Sequence, residues 1–470
     1  MDVQDAPSPD RQPPFVTPSG TTDATNAAVT ASAAAAKPRN GAGGMLAPLR
    51  RRNFSLLFSG QLISVLGDQV YGLALPWTIL VVTHDPRQVA IVLAAGAVAR
   101  VLLLLIGGAL ADRLNPRIVM LVADAGRAVV VAALAIILVF GLPPLWIVAS
   151  LAALEGAGSG LFGPGIPSLL PRILPEEELP AGNGLVMVLQ YSTLAIGPLL
   201  GGVATAAQAT LAFLADAGSF IVSALALFAM RLPPTGPLAN TGAHQMTGGE
   251  ATNARKSLFG EIRTGLAYTF GHPLIRSTMM VTVLGNLGFA GTLGVALIVL
   301  SRNLSPSAVT LGILLAAAGV GGVVGGLAAG LLGRLRRRGV AGLLLFGVSG
   351  ILMAFVPVAA GPAGRLPVEL ALSTNAHIAL VAGLLGVVGL ILALGDTMFI
   401  TVMQQRIAPE YMARVFSAQF VAGGISQPLS LVGAGYLAAV YGPGVAFLAG
   451  AGVLLLGIVL GLLSRELREI

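Results

Sequence analysis

The chain has 470 residues, of which 55% are hydrophobic and only 10% charged, with a formal net charge of +7 and a mean hydropathy of +0.87. That balance lies outside the range of soluble globular domains and points to an integral membrane protein. The absence of cysteine excludes disulfides, thiolate metal sites and cysteine nucleophiles.

Residues 1–44 are rich in Ala, Pro, Ser and Thr and lack a basic start or a long aliphatic run, so they read as a disordered cytoplasmic tail rather than a signal peptide. Uncharged windows of about 20 residues, enough to cross hydrocarbon as helices, then recur to residue 464. Twelve spans are expected near 53–81, 88–111, 117–140, 144–170, 184–207, 209–231, 274–300, 307–333, 339–360, 377–404, 411–438 and 441–464. Their continuous apolar runs do not alternate as a transmembrane β-barrel requires. The fold class is therefore all-α and membrane-integral. A polar Gly- and Pro-rich linker with a surface helix, 232–272, separates a six-helix half at 45–231 from another at 273–470.

The 27 basic residues mark topology rather than a nucleic-acid surface. With the N-terminus cytoplasmic, Arg50–Arg52, Arg113, Arg117, Arg172, the residues from Arg231 to Arg276, Arg334–Arg338, Arg406, Arg414, Arg465 and Arg468 fall inside. Only Arg87, Arg302 and Arg365 fall outside, which is the positive-inside pattern and puts both termini in the cytoplasm. Lys37 and Lys256 are the only lysines. This arginine bias suggests a GC-rich genome and a bacterial inner (plasma) membrane.

The two halves echo each other. Arg172-Ile-Leu-Pro-Glu176 follows span four and Arg406-Ile-Ala-Pro-Glu410 follows span ten; Gly108 and Asp112 after span two are answered by Gly330 and Arg334 after span eight. Duplicated six-helix units are a mark of secondary transporters that rock about a central site. The stretch GGALADRLNPR, residues 107–117, resembles the loop motif of the major facilitator superfamily. Leu75-Pro76-Trp77, Asp124 with Arg127, the segment from Phe162 to Asn183, and Phe213 to Phe220 resemble its enterobactin-exporter and macrolide-efflux-like branch. The resemblance implies the major facilitator fold over about residues 50–464, with the gate formed by Gly108, Asp112, Arg113 and Arg117 against Arg414 near the start of span eleven. Pro116 replaces a residue that is usually basic. Gly197-Pro198-Leu-Leu-Gly201-Gly202 is similar to the superfamily's antiporter motif, with Thr193 in place of its leading glycine, and implies export. Ordinary small-residue packing is the other reading of those glycines.

Charges within hydrocarbon cost at least ~2.5 kcal/mol each on insertion scales and ask for a reason. Asp68, Arg100, Arg127 and Glu155 all lie about 11–13 residues from the outer ends of their spans, in one layer at 1.5 Å rise per residue. The expected pairs are Asp68 with Arg100 and Asp124 with Arg127. Glu155 is then left unmatched as the leading proton carrier, with Asp68 and the likewise unmatched Asp216 as further candidates; the fold that the resemblance implies sets Asp216, in span six, at the periphery. Buried pairs that only fix helix packing remain an open alternative. Asp396 is the one embedded acid of the second half, and His84, His244, His272 and His377 fall in loops or at span ends, where they are poor relays.

Asn286 and Gln419 are candidates to face substrate, with Gln427 beside them, although packing is an equal reading. Few embedded polar groups suit a hydrophobic or amphipathic small molecule. The expected partners are that substrate, protons and the bilayer, for a monomer that engages no nucleic acid. No catalytic constellation, metal site or cofactor fingerprint is present, so the expectation is no cofactor and no enzyme. Proton-coupled efflux of a drug, macrolide or siderophore-like compound is the first reading. Uptake by symport, a lipid-handling membrane enzyme and a channel are the rivals.

Overall fold

The computed structural model describes residues 42–470 except 114, 142, 232–272, 332–337, 368–370, 407, 408, 469 and 470, with backbone alone at several helix ends, including 105–113 and 409–414. The tail before residue 42 and the linker with its surface helix lie outside the described residues, as do His244 and His272. Twelve long helical segments follow. They are α1 (Arg52–Thr83), α2 (Pro86–Arg113), α3 (Pro116–Val139), α4 (Leu145–Phe162), α5 (Leu179–Ala207), α6 (Ala209–Ala229), α7 (Pro273–Gly291), α8 (Ala308–Leu331), α9 (Arg338–Ala359), α10 (Thr374–Arg406), α11 (Pro409–Val440) and α12 (Pro443–Leu463). Among the described residues eleven helices are long and apolar enough to cross a membrane; α11, at 32 residues, fills the remaining place. The chain is thus an all-α membrane protein whose helices overlap all twelve expected spans, with ends that depart by up to five residues, as at Leu179 of α5.

Two spans are interrupted. Span four breaks after α4 at Gly163 and Pro164 and resumes as Gly165–Ile173, because proline brings no N–H to the ladder. Span seven passes from α7 through a π-turn, Thr292–Ala296, into Leu297–Leu304. Its cause lies on α11: the Ser430 hydroxyl accepts from Gly291 N at 2.7 Å and donates to Leu287 O at 2.5 Å, inserting itself into the helix ladder.

Helix packing repeats across the duplication. In the first half α2 packs on α4, α1 on α5 and α6, and α3 on α4 and α6; in the second α8 packs on α10, α7 on α11 and α12, and α9 on α10 and α12. The halves meet where α5 lies on α8 and α2 on α11, a seam with the same pseudo-two-fold relation. Lipid tails are as apolar as leucine, so close backbone approach rather than the hydrophobic effect holds such helices together. A Cβ on Gly156 or Gly160 of α4 would collide with the Gly96 or Arg100 carbonyl of α2, and Gly389 of α10 stands in the same relation to Ala318 of α8. Large apolar side chains such as Val129, Leu327 and Leu429 point outward, where the bilayer would receive them.

We call the face bearing the start of α1 and the end of α12 proximal, and the opposite face distal. At the proximal face Arg51 makes a bidentate pair with Glu178, Nε to Oε2 at 2.7 Å and Nη2 to Oε1 at 2.8 Å. Arg51 holds the Glu178 carboxyl below its ordinary value through these bonds.

Candidate functional site

A cavity of about 730 Å³ lies between the halves. Its first-half wall carries Gln61, Ser64, Asp68, Gln69 and Tyr71 of α1, Arg100 of α2, Arg127 of α3, Glu155 and Ser159 of α4, and Gln190 and Tyr191 of α5; its second-half wall carries Ala290, Gly294, Gln427 and Leu431. The bend in span seven sets Ala290 and Gly294 against this space.

The cavity is sealed on its distal side. Gly202 of α5 meets the Ala308 carbonyl and Val309 Cα of α8, leaving only 2.8 and 3.1 Å for an added Cβ, and Gly435 of α11 abuts Ala90 and the Pro86 carbonyl of α2. Arg302, at the end of span seven, donates through Nη1 to Leu80 O, reaches Val81 O at 3.5 Å and lies 2.8 Å from His84 Nδ1. It thereby caps the last carbonyls of α1, a favourable place for a cation at a helix C-terminus. The distal arginines Arg87 and Arg302 are thus both engaged. Arg87 pairs with Asp85 at 3.0 Å and holds that loop carboxyl below its ordinary value.

On the cavity wall one guanidinium gathers three helices. Arg127 donates from Nε and Nη2 to Glu155 Oε1 at 3.0 and 2.6 Å and from Nη2 to Asp68 Oδ1. Its Nη1 lies 3.9 Å from Asp124 Oδ1, and its Cζ stands 4.0 Å above the Phe220 ring of α6, a cation–π contact. The stem of Arg127 crosses α4 at Gly158, where a Cβ would fall 2.5 Å from its Cγ. Asp216 is fully buried beside it: Ser219 Oγ donates to Asp216 Oδ1 at 3.3 Å, while Oδ2 has no hydrogen bond among the described residues. Gly67 admits this carboxyl group, since a Cβ there would strike Asp216 and Ser219.

These contacts revise the sequence pairing. Asp68 bonds to Arg127, not Arg100, and Glu155 is not unmatched but doubly bonded to Arg127. Arg100 is exposed to the cavity instead of being a buried partner. Asp124 keeps only the long contact to Arg127, with the Ser223 hydroxyl beside it. Asp216 is not peripheral, because the face of α6 that bears it packs on α1 inside the first half.

Other expected residues fall elsewhere. Gln419 is buried between α7 and α10, its Nε2 donating to Thr278 Oγ1 at 3.0 Å, and does not line the cavity. Asn286 lines a separate pocket of about 210 Å³ with Asp396, Phe346 and Phe399. Gly108, Asp112 and Arg113 lie in the last turns of α2 and Arg414 in the first of α11, with side chains outside those described. Arg117 is described, and its Nε and Nη2 donate at 2.7 Å to Leu227 O and Phe228 O, capping α6. Asn115 caps α3 by accepting from Arg117 N at 3.1 Å, with Pro116 at the first helical position, where its missing N–H is harmless. In the glycine motif, Gly197 and Gly201 fit against Gln69 and Val70 of α1, and Gly202 against α8. The tyrosines, most of the glutamines and the Arg302 cap were missed; only the rarity of a distal arginine marked Arg302.

The family model for the Major Facilitator Superfamily matches residues 57–431. Enterobactin exporter EntS of Citrobacter koseri is 27% identical over 421 residues, covering 88% of this chain and 92% of the relative. YfiS of Bacillus subtilis, described as an uncharacterized MFS-type transporter, is 27% identical over 429 residues, covering 90% and 96%. Among solved structures, the nucleoside transporter NupG superposes with a TM-score of 0.67 at 12% identity, covering 89% of this chain and 99% of that one. A bacterial homologue of the iron transporter ferroportin in an inward-facing state gives 0.61 at 16%, covering 87% and 98%. With two six-helix halves around a central cavity closed on its distal side and a family match over most of its length, the chain belongs to the major facilitator superfamily, a family of multi-pass membrane transporters rather than enzymes.

Proposed function

We propose that this protein is a proton-coupled exporter of hydrophobic or amphipathic small molecules, moving them by alternating access. The observation that carries the reading is the cavity between the halves, closed distally, with a carboxylate-rich cluster around Arg127 on its wall. The positive-inside distribution makes the proximal face cytoplasmic, so the cavity would load from the cell interior in a bacterial plasma membrane. The likeness to an enterobactin exporter and the Gly197–Gly202 motif favour efflux. A proton arriving at Asp68 or Glu155 would release that carboxyl from Arg127, and refilling the bond would expel the proton. Asp216 is the third candidate, and the unit of transport is the monomer.

Inside-out vesicles with an imposed proton gradient should accumulate a lipophilic fluorescent dye. Glu155→Gln or Asp68→Asn should abolish the gradient dependence. Accumulation that ignores the gradient, or is untouched by both substitutions, defeats proton coupling through this cluster; accumulation only in right-side-out vesicles means symport.

A further inference from the structure

Arg100 stands apart from the cluster around Arg127. It projects from α2 into the central cavity, is exposed there, and makes no hydrogen bond or ion pair among the described residues. Asp68, on the same wall, directs its carboxylate to Arg127. Glu155 does the same and is 13% exposed. Arg100 is therefore the cationic group on this wall that lacks a bonded counter-ion. A guanidinium cannot shed its proton to become neutral in that position, as a lysine ammonium can. Its backbone lies close against α4, since a Cβ added at Gly160 would collide with the Arg100 carbonyl oxygen. The rest of the lining mixes neutral polar groups, Gln69, Gln190 and Tyr191, with apolar Leu194 and Leu431.

We propose that the central cavity binds organic anions: molecules whose ionised acidic group pairs with Arg100 while an aromatic or aliphatic body lies on the apolar wall. Bidentate pairing of guanidinium with carboxylate is the strong form of such a contact. The proposal rests on the cavity being the substrate site and narrows its substrate class from amphipathic to amphipathic and acidic. An anionic lipid headgroup offers the same chemistry, and the experiment separates the two sources.

The full-length protein in phosphatidylcholine nanodiscs is titrated at neutral pH with 2-naphthoate and with its neutral isostere 2-naphthamide, following the thermal unfolding midpoint as a function of ligand concentration. The acid should bind about 10–100-fold more tightly than the amide, the worth of a charge-assisted hydrogen bond. Arg100→Gln should erase that advantage and Arg100→Lys should keep part of it. Equal binding of acid and amide to the wild-type protein overturns the proposal without reference to any variant, as does an advantage that survives Arg100→Gln. Nanodiscs rich in phosphatidylglycerol should leave the acid's affinity in place; its loss there assigns Arg100 to a lipid headgroup and overturns the substrate reading. Failure of dye export in vesicles with the acid's preference intact strikes only at transport, and equal binding with export intact strikes only at Arg100.

Discussion

Replacing Arg127 with Gln removes the one guanidinium that bonds both Asp68 and Glu155. In the structure it makes two bonds to Glu155 Oε1, at 3.0 and 2.6 Å, and one to Asp68, and its own side chain is 4% exposed. Breaking a buried ion pair by deleting one partner costs about 3–5 kcal/mol, because the surviving charge stays in a medium that cannot solvate it. Asp68 is 36% exposed toward the cavity and Glu155 only 13%, so most of the loss falls on the Glu155 side. Lost stacking on Phe220 adds about 0.5–2 kcal/mol. The expected destabilisation is about 3.5–7 kcal/mol, read as a lowered midpoint in denaturant titration of the purified protein. Neutralising the stranded acids as well, in Arg127→Gln with Asp68→Asn and Glu155→Gln, should recover part of the stability, with a coupling of about 0.5–3 kcal/mol. A single variant within about 1 kcal/mol of wild type, or a triple variant less stable than the single, refutes the claim that Arg127 is held by these two carboxylates.

Two further outcomes follow from the seam and the proximal face. A Cβ built on Gly424 of α11 lies 3.8 Å from Val101 Cβ of α2, the mean separation across a disulfide. In a chain without native cysteine, Val101→Cys with Gly424→Cys should cross-link on oxidation and stop vesicle transport, and reduction should restore it; transport that continues through the intact link argues against motion at this seam. Because Arg51 depresses Glu178, that pair contributes stability above the ordinary glutamate range of about 4.3 and loses it as pH falls through the lower folded value. The difference in unfolding midpoint between wild type and Arg51→Ala should therefore shrink on acidification, and a gap that widens contradicts the pair; its exposure keeps the effect small.

Span positions were legible because hydropathy and length decide them locally: α3 at Pro116–Val139 and α12 at Pro443–Leu463 differ from the expected limits by at most two residues. The charged layer was legible too, since depth follows from counting residues at a fixed rise. Partner choice was not. Depth says nothing about which way a side chain faces, and at about 100° per residue a small rotation of α2 separates an Arg100 that meets Asp68 from one that faces the cavity. The same limit misplaced Asp216, whose neighbours Gly67 and Ser219 are unremarkable in sequence. The π-turn of span seven depends on a hydroxyl from α11, 139 residues away, and no local pattern announces such an insertion. Arg117, grouped with the gate by motif, also caps the end of α6 because two bare carbonyls lie within its reach.

The arrangement constrains how a proton could move the halves. Asp68, Arg127, Glu155 and Asp216 all belong to the first half, so a rigid swing of one half on the other breaks none of their bonds; the proposed coupling must begin as a rearrangement inside that half. Helix α5 supplies a packed route outward. Gly197 and Gly201 hold α5 against Gln69 and Val70, the residues that follow Asp68, while Gly202 on the next face touches Ala308, Val309 and Gly312 of α8 across the seam. Under that proposal, a shift of α1 on gaining or losing its bond to Arg127 would press on the segment that seals the distal side. The seal itself is suited to alternate, being made of small residues in van der Waals contact and an Arg302 cap whose acceptors water can satisfy when it opens. The second half carries no matching cluster among its described residues. Its corresponding interior, between α7, α9, α10 and α12, holds Asp396 and three phenylalanines around a pocket with no arginine, so the proposed coupling would rest on the first half alone.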